Sequence, residues 1–342
     1  FNSDFFSIAK AMYENQNISN NYYTNYSLIP VGSDWTDNRN IIGYYDPFNK
    51  EYKSTPTLDL ILEAEQNQNI PFFLILDEMN LSHVERYFSD FLSAMESGEP
   101  IPLHSLGEMV LSDSGNKIPN SIKIPNNVFI TGTVNIDETT YMFSPKVLDR
   151  ANVIEFKFTK DDLEKYLNGE SEKETANGDS SLAEQFLEIS RRARGIENDK
   201  LPDPENFDKI KDTIKEVFNI LDGSGQEFAY RTAGEIIRYT KVSFYIHNQI
   251  DENKDKPWDW KVAMDEQILQ KVLPKLHGNR KKMQPILEGL AYYCLTGKLK
   301  LKDETSEDSN EQKKETIFKN SYSKVNSMLT NLQRDGFVSF IE

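Results

Sequence analysis

Phe72-Phe73-Leu74-Ile75-Leu76-Asp77-Glu78-Met79-Asn80 is an apolar run that ends in two acids and an asparagine. A strand buried on both faces of a parallel sheet reads as such a continuous apolar run. Its carboxyl end is where open α/β sheets place ligands. Two carboxylates delivered there have the chemistry to hold Mg²⁺ through water and to polarise an attacking water. The same pattern also fits a buried strand followed by ordinary polar residues, so its meaning depends on what surrounds it.

Working outward, Tyr26 to Gly32 reads as a preceding strand. The turn-rich stretch Ser33-Asp34-Trp35-Thr36-Asp37-Asn38-Arg39 follows it and predicts an ordered loop. Thr57 is placed to cap a helix over 58–66. On the other side, Ser82-His83-Val84-Glu85 has the form of a capping box. Val84, Tyr87, Phe88, Phe91, Leu92 and Met95 then share one face of a helix that Gly98 stops. Residues 100–127 read as a hairpin insertion with its turn at Asp113-Ser114-Gly115-Asn116. Val128 to Val134 is a second buried strand, and Asn135 follows it directly. Ser144-Pro145 opens a helix carrying Val147, Leu148, Asp149 and Arg150, and Val153-Ile154-Glu155-Phe156 reads as a third short strand.

Composition changes near residue 160. Residues 161–180 read as a mobile linker, and helical periodicity dominates from 181 to 342. The expectation is an α/β core over 1–160 and a helical subdomain over 181–342.

The chain has 342 residues and a formal charge of −16, which argues against nonspecific nucleic-acid binding by the chain as a whole. Lys271, Lys275, Arg280, Lys281, Lys282, Lys298, Lys300 and Lys302 nevertheless form a basic island suited to an acidic subunit, phosphate or DNA. One cysteine excludes an internal disulfide and a Cys-rich metal site. No apolar run reaches membrane-spanning length and no signal peptide opens the sequence, so no membrane partner and a cytoplasmic location are expected. The first residue is Phe1, which reads as a fragment or processed piece.

Two quoted segments, FFLILDEMNLSHVERYFSDFLSAMESG and NVFITGTVNIDETTYMFSPKVLDRANVIEF, resemble AAA+ ATPases related to McrB, the nucleotide-hydrolysing motor of modification-dependent restriction systems. SDWTDNRNIIGYYDP, QKVLPKLHGNRKKMQPILEGL and SYSKVNSMLTNLQRDGFVSF extend the resemblance over nearly the whole chain. It implies an α/β fold with an AAA+ P-loop-type parallel sheet and a C-terminal α-helical lid. It makes Asp77 the Walker B aspartate that holds Mg²⁺ through water, and Glu78 the catalytic glutamate. Asn135 would be sensor 1 and Arg150 a finger acting in trans. Asn80 and Arg231 would be nucleotide-side residues, Arg231 as sensor 2. It further implies a homo-oligomeric, hexameric ring, an McrC-like nuclease partner, and DNA reached indirectly or through the ring.

Two departures stand out. No G-x-x-x-x-G-K-[ST] occurs anywhere in the sequence, so the expectation is a core truncated before its P-loop, with little activity by itself. Where GTP-specific relatives carry Asp-Arg, this chain has Glu138-Thr139, which favours ATP over GTP. The rival expectation is a non-hydrolysing AAA+-like scaffold that assembles with a partner.

Overall fold

The computed structural model describes residues 25–135, 141–169, 181–196, 203–250, 256–299 and 316–340. The chain forms two compact units, a mixed α/β unit and a helical one, whose sequences interleave. The first holds residues up to Val147 together with Phe156–Arg191; the second holds Leu148–Glu155 and Arg192 onward.

The first unit is built on a three-stranded parallel sheet with β4 (Phe72–Asp77) between β1 (Tyr26–Pro30) and β9 (Val128–Gly132). The register pairs Leu76 with both Ile29 and Gly132, so the three carboxyl ends finish together. Every residue from Phe72 to Leu76 is buried, as a central parallel strand requires. Phe72, Leu74 and Leu76 join one core with Leu58, Ile61, Tyr87, Phe88 and Phe91. Phe73 faces the other way, where its ring meets Phe129 and Phe186.

Between β1 and β4 lie α1 (Arg39–Ile42), the β2–β3 hairpin (Tyr44–Asp46 and Glu51–Lys53) and α2 (Pro56–Gln66). The cap of α2 is Thr55, whose side chain accepts from Leu58 N, rather than Thr57. Pro56 explains the shift: proline suits the first helical position, which makes the preceding threonine the cap. Past β4, a short turn of helix (Met79–Leu81) leads into α3 (Val84–Tyr87) and α4 (Ser89–Ser97). The single long helix read from periodicity is thus broken at Phe88, and Met95 is exposed. The capping box does not form either, because Ser82 Oγ donates to Trp35 O instead.

The insertion is a double hairpin. Strands β5 (Ile101–Pro102) and β8 (Ser121–Ile122) pair outside β6 (Val110–Leu111) and β7 (Lys117–Ile118). Its tip is tied back to the unit, since Asp113 Oδ1 accepts from Ser54 N and Asn116 Nδ2 donates to Asp59. Helix α5 spans Pro145–Leu148. The strand expected at 153–156 joins no sheet among the described residues. Within the stretch read as linker, α6 (Lys160–Leu167) forms behind a Thr159/Asp162 capping box. Helix α7 (Ser181–Gly195) follows, and its Phe186 covers the second face of the sheet, which is why most of this helix belongs with the strands.

The second unit packs α8 (Pro204–Leu221), α9 (Tyr230–Gln249), α10 (Trp260–Gln267), α11 (Arg280–Thr296) and α12 (Lys319–Asp335) around a separate apolar core. Strands β10 (His277–Asn279) and β11 (Phe337–Ser339) close it as an antiparallel pair. No helix among the described residues is long and apolar enough to cross a membrane.

Candidate functional site

The carboxyl ends of β4 and β9 bring Asp77, Glu78, Asn80 and Asn135 together. Asn135 Nδ2 donates to Glu78 Oε1 at 3.1 Å. Asn80 Nδ2 donates to Asn135 O at 2.9 Å. Asn80 is buried, and its Oδ1 has no hydrogen-bond partner among the described residues. Asp77 is half-buried, whereas Glu78 and Asn135 are exposed.

A residue that the sequence reading passed over joins the two strands. Thr133 Oγ1 donates to Asp77 Oδ1 at 2.6 Å and accepts from Glu78 N at 2.9 Å. Its backbone continues the ladder past the last paired residues: Thr133 N donates to Leu76 O and Met79 N donates to Thr133 O. Glu78 has φ 51° and ψ 49°, in the left-handed region that non-glycine residues seldom occupy. Strain of this kind persists where surrounding bonds over-determine the backbone. Tyr87 adds to those bonds, because its buried hydroxyl donates to Met79 O at 2.8 Å.

Gly132 marks a close approach. A Cβ there would lie 2.3 Å from Met79 Sδ and 3.1 Å from Met79 Cβ, so with Met79 in this rotamer the space beside β9 suits glycine.

Arg150 and Arg231 belong to the helical unit. Arg150 sits in the segment Leu148–Glu155, which three lysines of that unit hold. Lys275 Nζ bonds Asp149 Oδ1 at 2.5 Å, Lys271 Nζ donates to Ala151 O at 3.0 Å, and Lys324 Nζ pairs with Glu155 Oε1 at 2.7 Å. Burial pushes the Lys271 ammonium down to about 8, and Arg231, Lys275, Asp149 and Glu235 all act on it electrostatically. Two of the eight cations of the basic island, Lys271 and Lys275, are therefore interior framework. Arg280 and Lys281 instead line an open concavity with Gln284, Pro285 and Glu288. Lys300, Lys302, Glu138 and Thr139 lie outside the described residues.

His83 pairs with Glu85 at 3.5 Å and its ring lies over Tyr141, a local role. Among the described residues no group of three or more His, Cys, Asp or Glu side chains is placed to hold a metal by itself. Mg²⁺ needs no such group when phosphates and water supply the remaining ligands. Asp77 Oδ2 carries no hydrogen bond or ion pair among the described residues, so one carboxylate oxygen remains for that purpose.

Residues 179–337 match a protein family described as Domain of unknown function (DUF8727). The matched span contains Arg231 but none of Asp77, Glu78, Asn80, Thr133, Asn135 or Arg150. No curated protein matches the chain.

Proposed function

We propose that the chain is the core and helical lid of an AAA+ nucleoside-triphosphate hydrolase of the McrB-like kind. In this reading it uses ATP rather than GTP and works in the cytoplasm as a ring. Its output drives a DNA-directed restriction or defence complex with a nuclease partner. The observation that carries the proposal is the bond between Asn135 and Glu78 across the tips of adjacent parallel strands, beside Asp77.

The roles follow from position. Asp77 has one oxygen engaged by Thr133 and one left for a water-bound Mg²⁺. When bound, that ion would neutralise charge developing on the phosphates. Glu78 is exposed and holds one carboxylate oxygen toward Asn135, which leaves the other to polarise water. By the resemblance, Arg150 and Arg231 would be the cations that meet a γ-phosphate, in trans and in cis respectively. Strand β9 is an edge of the sheet among the described residues, and this reading would set a P-loop strand beside it.

The test is hydrolysis by the full-length gene product. Glu78→Gln keeps nucleotide binding and lowers turnover by roughly 100-fold or more, the usual contribution of a general base. Turnover equal to wild type would remove Glu78 from the site. One observation favours a second reading, the non-hydrolysing scaffold: no G-x-x-x-x-G-K-[ST] occurs in these residues. That reading predicts assembly with a partner and no hydrolysis by the full-length protein.

A further inference from the structure

We infer that Thr133 is a positioning residue of the acidic site, setting which oxygen of Asp77 is presented to a divalent cation. The inference rests on the reading of Asp77 as a metal ligand.

A threonine hydroxyl has one proton to give and lone pairs to receive. The Glu78 N–H can only donate, so the Thr133 proton is left to point at the Asp77 carboxylate. An O–H donor facing a carboxylate makes one of the stronger hydrogen bonds available to side chains. Thr133 is itself held at both ends of its backbone, N to Leu76 O at 2.9 Å and O from Met79 N at 2.8 Å. Four bonds therefore clamp this one residue to 76–79. Two consequences follow. The Asp77 carboxylate is pinned through Oδ1, and among the described residues Oδ2 has no hydrogen bond or ion pair. The same hydroxyl satisfies the Glu78 amide in its left-handed turn, so Asp77 and Glu78 are oriented as a unit. Residues that orient a metal-binding carboxylate in this way typically change metal affinity by 10- to 100-fold when removed.

A threonine serving only as a turn bracket would alter stability and leave the cation untouched, and this separates the alternatives. Mn²⁺ is titrated onto the full-length gene product in the presence of a non-hydrolysable ATP analogue, with free ion followed by electron paramagnetic resonance. Wild type, Thr133→Val, Thr133→Ser and Asp77→Asn are compared, each with its melting temperature. The expected result is that Thr133→Val and Asp77→Asn weaken Mn²⁺ binding about tenfold or more, while Thr133→Ser stays within about twofold of wild type. If Thr133→Val is poorly folded, Thr133→Ala takes its place, because it also lacks the hydroxyl and adds no second methyl group; wild-type Mn²⁺ affinity in that variant overturns the role. Wild-type Mn²⁺ affinity in a folded Thr133→Val, with Asp77→Asn impaired, overturns the role of Thr133 alone. Equal losses in the valine and serine variants also overturn it, since the hydroxyl is then not responsible. Wild-type affinity in Asp77→Asn brings down the reading of the acidic site itself.

Discussion

Gly132 and Met79 meet where two strands end, and the contact sets how closely the acidic turn can approach β9. A methyl group at Gly132 would press on Met79 Sδ and Cβ, so the Met79 side chain must change rotamer and its Cβ must give by a few tenths of an ångström. Overpacking of this kind costs about 1–3 kcal/mol. Gly132→Ala should therefore lower stability by that amount in urea titration. Met79→Ala in the same chain should recover part of it, a coupling expected only of residues in contact. Additive effects would mean that the two do not touch. At this scale the sequence placed Asp77, Glu78 and Asn135 at the ends of two strands, because an apolar run that stops at polar residues locates a strand terminus. Thr133 was not legible. A threonine within Thr131-Gly132-Thr133-Val134 reads as one more β-former, and its importance arises from which atoms the register sets opposite it.

The segment Leu148–Glu155 belongs to the helical unit. The strand expected at 153–156 joins no sheet among the described residues, and side chains hold the segment instead. Lys324 is buried, and its ammonium lies between Glu155 at 2.7 Å and the face of Phe340 at 4.4 Å. Removing Glu155 leaves the buried Lys324 ammonium without its partner, whereas removing Lys324 leaves a carboxylate that solvent still reaches. Glu155→Gln is thus expected to destabilise the helical unit more than Lys324→Met, as read by thermal melting, and the reverse order would show that the pair is not what anchors the segment. Lys271 and Lys275, which hold the same segment, were visible in the sequence only as part of a basic island, and Lys324 was not singled out. Their burial could not be inferred, because periodicity locates a helical face and does not say which neighbour covers it.

Over the whole molecule, the two units have separate apolar cores, and the chain passes from one to the other and back. The only cysteine, Cys294, lies fully buried in the helical unit, and burial pushes its thiol up to about 12. Thiolate is the reacting form, so a burial-raised thiol is inert while the unit stays folded. Labelling by a disulfide reagent at neutral pH should be negligible in the native protein and should rise along the denaturant curve of the helical unit. Prompt labelling without denaturant would show that this core opens far more readily than its packing implies.

The amino-acid order alone determined the central strand, the turn formers around it, the helical character of the second half and the polar residues at two strand ends. All of these follow from interactions local in sequence: apolar periodicity, capping, and the backbone limits of glycine and proline. Tertiary structure decided the rest. It chose Thr55 over Thr57 as a cap, broke one long helix at Phe88, laid Phe186 across the sheet and moved 148–155 into the helical unit. It also decided that Thr133 faces both Asp77 and Glu78. The reason is the same in each case. These outcomes depend on which surfaces meet and in what register, and a shift of one residue in a parallel ladder would turn the Thr133 hydroxyl to the opposite face.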